Sequence, residues 1–221
     1  MIEIREENLI NVTDTSVIIY PSLCRTTGHN KVTCPGWILR LWYPRRHQKG
    51  LINMALPDAA YDPFERGRFP VGVRTIEALD SGRNRLFNCE IWYPATVAHA
   101  GEDLAFETQD AFSVPNRNEQ RRQAAVRNVA AERGNYPLVV FSHASAFHRR
   151  GGTFLCTHLA SHGYVVAALD HSEVVAPELS RKQNETDEQK AARWDEAIAS
   201  RVPDVRFLLD QLVDRPLPIG G

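Results

Sequence analysis

The spacing of apolar residues predicts two pairs of strands in the middle of the chain. VGVRTIEALD (71–80) and LFNCEIWYPA (86–95) are strand-like and flank the turn-forming sequence DSGRN. They predict a β-hairpin whose second strand stops at Pro94. LVVF (138–141) and YVVAALD (164–170) are continuous apolar runs, as in strands that are buried on both faces.

A helix is predicted between the two buried strands. GGTFLCTHLASHG (151–163) carries apolar residues at helical spacing, and Gly163 is well placed to end the helix. Strand, helix and strand together predict a βαβ unit, with a parallel sheet and a right-handed crossover. NEQRRQAAVRNVAAERG (118–134) is rich in Ala, Arg, Gln and Glu and predicts a further helix, after a polar loop at 96–118.

The carboxyl-terminal part predicts two more helices. SRKQNETDEQKAARWDEAIASR (180–201) is highly charged and is typical of a solvated face. A lid over an active site and a plain connector are both compatible with it, and Trp194 indicates that something packs against this segment. VPDVRFLLDQLVDR (202–215) is amphipathic and has Pro203 in its first turn.

The first 53 residues differ from the rest of the chain. SVIIY (16–20) and WILRLWY (37–43) predict short strands, and a turn-rich segment separates them. No pattern here indicates catalysis or binding. We interpret residues 1–53 as an N-terminal extension of unknown role and residues 54–221 as the domain proper.

Composition and charge narrow the class of protein. Of the 221 residues, 43% are hydrophobic and 24% are charged, and the formal net charge is −1, which gives no reason to expect nucleic acid or an anionic membrane as partner. No apolar run approaches the roughly 18 residues of a membrane span. The acidic start MIEIREEN lacks the pattern of a signal peptide, so a cytoplasmic location is expected. Four cysteines without a CxxC pair are expected to be free thiols.

Several segments, taken in order, resemble a known family. PLVVFSHASAFHRR and LASHGYVVAALDH, with YDPFERGRFPVGVRTIEALDSGRNRLFNCEIWYPA (61–95) before them, resemble α/β-hydrolases, and most of all the platelet-activating factor acetylhydrolase and dienelactone-hydrolase-like esterases. The similarity covers about residues 58–215. It implies an α/β fold that holds the N-terminal half of an α/β-hydrolase sheet, with the opening hairpin and the parallel βαβ unit.

The resemblance also implies a reaction. Members of this family hydrolyse small-molecule esters through an acyl-enzyme, with a Ser-His-Asp triad and no cofactor, and their nucleophile lies in G-x-S-x-G. This sequence contains no G-x-S-x-G. We therefore expect a partial domain that is truncated before the nucleophile strand and is inactive by itself. Met54 is then a possible natural start.

The segment after the first buried strand is expected to form part of the oxyanion hole. By residue-by-residue resemblance, Ser145 supplies its backbone N–H as the donor, and His143, Ala144 and Arg149 support the loop. Ala144 and Ala146 stand where the family has glycine. Because Ala tolerates positive φ poorly, we expect this loop to differ in conformation from that of the family.

A different reaction is conceivable at the same place. Ser145 could act as a nucleophile with His143, Asp170 and His171, which all lie near one edge of the predicted sheet. Against this, Ser145 lacks the glycines of a nucleophile elbow, and adjacent residues such as Asp170 and His171 point apart on a strand.

Metal sites and a reactive thiol are weaker hypotheses. His158 and His162 have the spacing of two zinc ligands, but Leu159 stands where a metalloprotease has Glu. Cys24, His29 and Cys34 offer three ligands where a structural zinc usually takes four. We expect no metal, and we expect Cys156 to be a buried core thiol rather than a reactive one.

Truncation has a consequence for association. Without a following strand, Leu138 to Phe141 would form an exposed apolar edge, which invites pairing with another chain. The alternative function is therefore a non-catalytic remnant, or one half of a split protein that acts by association.

Overall fold

The computed structural model describes six ranges of the chain. These are residues 9–19, 64–115, 117–143, 147–171, 182–213 and 217–218, with only the backbone described for 9–19 and 217–218.

The described residues form nine strands, of which seven make one mixed sheet and two make a separate ribbon. In chain order the strands are β1 (Leu9–Ile19), β2 (Val71–Asp80), β3 (Arg85–Pro94), β4 (Asp110–Ser113), β5 (Gln120–Gln123), β6 (Val126–Arg127), β7 (Gly134–Ser142), β8 (Val165–Leu169) and β9 (Leu217–Pro218). The order across the sheet is β6-β2-β3-β8-β7-β1-β9, and β4 pairs with β5 in a separate ribbon. The helices are a 3₁₀ turn at Val97–His99, α1 (Thr153–Ser161) and α2 (Asp187–Val213).

The predicted hairpin and βαβ unit are confirmed. β2 and β3 are antiparallel and pair from Val71–Pro94 to Asp80–Arg85. β7 and β8 are parallel, with Leu138 opposite Val165, and α1 lies between them in the chain. Gly163 follows α1 with φ +90°, a conformation that glycine adopts at little cost. The fold is therefore of the α/β class.

The sheet is covered on both faces, as its continuous apolar strands predict. Alternate residues of a strand face opposite sides. Leu138 and Val140 of β7 join a core with Leu208 and Leu212 of α2. The intervening Val139 and Phe141 join a second core, which includes Cys156 and Ala160 of α1.

The predicted helix at 118–134 is wrong. This segment contains β5 and β6, and Asn128 has φ +59°. Its side chains reach buried partners: Gln123 accepts a hydrogen bond from Nε1 of Trp92 at 2.7 Å, and Arg127 donates to Glu90 at 2.6 Å. These tertiary contacts outweigh a helix propensity that differs by less than about 1 kcal/mol per residue among ordinary residues.

The two helices predicted at the carboxyl-terminal end are one. α2 runs without interruption through Pro203, which is exposed. Proline inside a helix costs about 3 kcal/mol. The helix continues because residues on both sides of Pro203 are anchored, and Ala197 and Leu208 are buried. In addition, Arg201 bonds the carbonyl of His143 after β7, and Asp204 bonds His171 after β8.

The expectation of an exposed edge at Leu138 to Phe141 is also wrong. β1 pairs with β7 in parallel, and Thr15, Ser16, Val17 and Ile18 lie opposite Leu138 to Phe141. β1 overlaps the strand predicted at 16–20, while the strand predicted at 37–43 lies outside the described residues. The segment interpreted as an extension thus contributes a strand to the sheet, and the domain boundary at residue 54 stays a prediction.

Candidate functional site

The candidate site lies where β7 and β8 end. Because the two strands are parallel, their carboxyl ends meet at one edge of the sheet. Ser142 and His143 stand at the end of β7, and Asp170 and His171 follow β8. All four residues are buried. The loop predicted to form the oxyanion hole begins here, and its residues Ala144, Ser145 and Ala146 lie outside the described residues.

The near end of this loop is fixed by His143. Its ring Nε2 accepts a hydrogen bond from the backbone N–H of His171 at 3.0 Å. Its carbonyl oxygen accepts a hydrogen bond from the guanidinium of Arg201. Buried His143 therefore links the end of β7 to the residue after β8 and to α2.

The far end of the loop is fixed by Arg149. Its backbone N–H donates to Asp170 Oδ1 at 2.7 Å, and its guanidinium bonds the other oxygen of the same carboxylate. Arg149 Nε also donates to Glu90 at 3.3 Å. The structure thus brings His143 and Arg149 to the two adjacent residues Asp170 and His171. Their roles in an oxyanion hole stay a prediction.

Glu90 is the most heavily paired carboxylate near the site. It is fully buried on β3 and accepts a hydrogen bond from Thr75 at 2.8 Å. Three guanidinium groups face it, those of Arg127, Arg149 and Arg150. Burial alone would raise the pKa of Glu90, but Arg150 and Arg127 outweigh it and hold that pKa below the usual 4.5.

A serine–histidine–aspartate array lies at the carboxyl ends of β7 and β8, and the sequence did not predict it. Ser142 Oγ is 3.2 Å from Nε2 of His171, and Nδ1 of His171 is 3.1 Å from Asp204 Oδ2. Arg83 and Arg85 ion-pair with the other oxygen of Asp204, at 2.6 and 3.3 Å. This array is not the combination of Ser145, His143, Asp170 and His171 that the sequence suggests, because the Asp170 carboxylate bonds Arg149 and His171 turns to Asp204.

Sequence reasoning missed Ser142 and Asp204 for different reasons. Ser142 is the last residue of β7, and its neighbour Ser145 drew attention through the family pattern. Asp204 lies on α2, far along the chain. The sequence did contain one sign of this site: Arg201 and Asp204 are three residues apart, so both side chains lie on the same side of a helix and can face the same neighbours.

The surroundings of His171 disfavour its charged form. Burial lowers its pKa from the usual 6.5, although Asp204 and Asp170 oppose that effect, and Arg201 lowers the pKa further. In the tautomer that fits these partners, Nδ1–H donates a hydrogen bond to Asp204, and Nε2 accepts a hydrogen bond from the Ser142 hydroxyl. Arg201 then donates to Ser142 Oγ, at 3.0 Å.

The stability of the chain should therefore fall in acid, and His171→Gln should reduce that fall. A histidine whose pKa is lowered in the folded state takes up its proton mainly on unfolding. Stability is then lost as the pH drops below about 6.5, by up to about 1.4 kcal/mol per pH unit for one group. Urea unfolding at about pH 7.5 and about pH 5.5 measures the difference.

The control for this experiment is Arg206→Gln, an exposed residue of α2 that carries no imidazole. It should lose as much stability between the two pH values as the unchanged chain. His148, whose pKa burial also lowers, is present in every variant, so the comparison isolates His171. Equal losses in the unchanged chain and in His171→Gln would show that His171 is not held neutral.

The remaining candidate residues have ordinary surroundings. The rings of His158 and His162 are 4.6 Å apart, and Nε2 of His162 lies 3.0 Å from the carbonyl oxygen of Glu65. Cys156 is fully buried, and burial raises the pKa of its thiol, which makes it unreactive. Cys24, His29 and Cys34 lie outside the described residues. Over the described ranges, no helix is long and apolar enough to cross a bilayer.

Part of the chain matches the sequence model of a known protein family. Residues 111–203 match the sequence model of the family described as platelet-activating factor acetylhydrolase, isoform II. No curated protein matches the chain.

Among solved structures, the ferulic acid esterase from Streptomyces cinnamoneus is similar, with 25% sequence identity and a TM-score of 0.46. The alignment covers 66% of this chain and 47% of that enzyme, so the chain spans about half the length of its structural relative. The family match over residues 111–203 confirms, for this part of the chain, the resemblance to the platelet-activating factor acetylhydrolases that was found in the sequence.

Proposed function

We propose that the chain supplies the oxyanion-hole loop of a serine carboxylic-ester hydrolase, and that these 221 residues do not hydrolyse esters by themselves. The supporting observation is the anchoring of the loop after β7 at both ends, by Arg201 on His143 and by Asp170 on Arg149. An oxyanion hole needs donors that are held in place before charge develops on the substrate.

In the proposed reaction, a serine oxygen attacks the ester carbonyl carbon and forms a tetrahedral oxyanion. The alcohol leaves with a proton, and water then attacks the acyl-enzyme to release the acid and regenerate the serine. The backbone N–H of Ser145 would donate to the oxyanion, and loss of one such donor costs on the order of 10²- to 10³-fold in rate. The attacking serine of G-x-S-x-G is absent from this sequence.

A fluorophosphonate, which phosphonylates activated serines, tests the proposal. We expect the intact mass of the purified chain to remain unchanged after treatment, and 4-nitrophenyl acetate to be hydrolysed no faster than with heat-unfolded chain. An adduct mapped to Ser145, with hydrolysis that is lost in Ser145→Ala, would contradict the proposal. Ser145 would then be a nucleophile and not a backbone donor.

Association of two halves is not part of the proposed function. That alternative depended on a free edge at Leu138 to Phe141, which β1 occupies. Dienelactone-hydrolase-like chemistry and a cytoplasmic location stay predictions from the sequence.

A further inference from the structure

The Ser142, His171 and Asp204 array is connected as in a hydrolytic triad, but it is not placed to react with a substrate. All three side chains are fully buried. In addition, Arg201 Nη1 donates to Ser142 Oγ at 3.0 Å, so that a charged donor occupies the oxygen that would attack. A nucleophile must approach a carbonyl carbon to within about 3–3.5 Å. This array therefore serves another purpose.

The purpose is indicated by the second bond of Arg201. The same Nη1 nitrogen donates to the carbonyl oxygen of His143. This one nitrogen of Arg201 thus links the side chain of Ser142, at the end of β7, to the backbone carbonyl of His143. Because a peptide unit is planar, a fixed carbonyl fixes the whole unit that leads into the loop.

The array holds Arg201 through a chain of hydrogen bonds that runs from Ser142 to His171 and on to Asp204. In this arrangement the Ser142 hydroxyl donates to Nε2 of His171, and a lone pair of the same oxygen accepts from Arg201. Nε2 of His171 can accept this hydrogen bond because the ring proton is on Nδ1, where it is donated to Asp204. Asp204 lies three residues after Arg201 on α2, so a single helix supplies both ends of this hydrogen-bond chain.

We propose that Ser142, His171 and Asp204 are positioning residues that hold Arg201 against the His143 carbonyl, and that they thereby fix the end of β7, where the following loop begins. The inference rests on the proposed function for the purpose of the loop, since that loop would carry the oxyanion donor. The contacts themselves do not depend on it. This array differs from a hydrolytic triad because its serine is buried and the serine oxygen accepts a hydrogen bond from Arg201.

Amide hydrogen exchange and imidazole ¹⁵N NMR on the full chain test the proposal. The variants are Arg201→Gln and Ser142→Ala, with Arg206→Gln, an exposed residue of the same helix, as the matched control. We expect exchange at the Arg149 and His171 amides, which are hydrogen-bonded across the site, to become about tenfold faster in both variants. A tenfold change corresponds to the loss of one hydrogen bond, about 1.4 kcal/mol. The control and the β2–β3 amides should not change.

The NMR signature separates positioning from general stability. In Ser142→Ala, the Nε2 resonance of His171 should shift because its donor is lost, while the Nδ1–H resonance should remain. If Ser142→Ala does not fold, Arg201→Gln decides by itself. Unchanged exchange at Arg149 and His171 in the folded variants would overturn the inference, as would a fluorophosphonate adduct at Ser142. An adduct at Ser145 would instead refute the proposed function and leave the exchange result intact.

Discussion

Glu90→Ala should lower the free energy of unfolding by about 3–5 kcal/mol, as expected when one partner of a buried ion pair is removed. The carboxylate of Glu90 is fully buried, and Arg127, Arg149 and Arg150 face it. Without it, three guanidinium groups repel one another, and Thr75 loses its acceptor. Urea unfolding near pH 7 measures the change.

The matched control is Glu77→Ala on the neighbouring strand β2. Glu77 is exposed, and we expect its loss to change stability by about 0.5 kcal/mol or less. Similar losses in the two variants would contradict the assignment of Glu90 as the centre of a buried charge cluster.

The Glu90 effect should also depend on pH. The pKa of Glu90 is lowered in the folded state, so its contribution is present above the unfolded pKa of about 4.5 and is lost as the pH falls below that value. The difference in stability between the unchanged chain and Glu90→Ala should therefore shrink toward pH 3. His171 acts in a separate window, at higher pH, and the two effects can be distinguished by their pH range.

A chain that begins at Met54 should self-associate. Removal of the first 53 residues deletes β1 and uncovers the backbone donors and acceptors of Leu138 to Phe141, which β1 pairs in the full chain. An unpaired apolar edge is a template for another strand. Size-exclusion chromatography with light scattering should show a monomer for the full chain and larger species for the shortened one.

Val17→Pro in the full chain tests the same edge without shortening the protein. Val17 lies opposite Val140 in the middle of the β1–β7 pairing, and proline there lacks the N–H that a strand interior requires. We expect this variant to self-associate as well. If the chain from Met54 is a compact monomer with unchanged stability, residues 1–53 are a dispensable extension and Met54 is supported as a natural start.

The parts of the fold that local pattern determines were predicted well. The β2–β3 hairpin follows from two apolar runs and a turn sequence, and the βαβ unit follows from two buried strands with a helical segment and Gly163 between them. Each of these elements is specified by residues that are close in sequence. The spacing of their apolar residues therefore indicates directly which residues are buried.

The parts that depend on distant partners were not predicted. Residues 118–134 have helix-forming side chains, yet Gln123 and Arg127 are held by Trp92 and Glu90. The sequence carries no local sign that Leu9–Ile19 would pair with β7. For the site, family resemblance pointed to His143 and Arg149, which the structure places together, while Ser142 and Asp204 required the three-dimensional arrangement.

The pairing of β1 with β7 also has a consequence for how the chain assembles. A ribosome releases the amino terminus first, yet the partners Ile10 and Gly134 are separated by more than half the chain. Contacts of such long range are slow to form, because a large loop must close before they contribute. β1 must therefore wait on the nascent chain, and Arg201 and Asp204 emerge still later. Arg201 can therefore hold the end of β7 only after α2 has been synthesised.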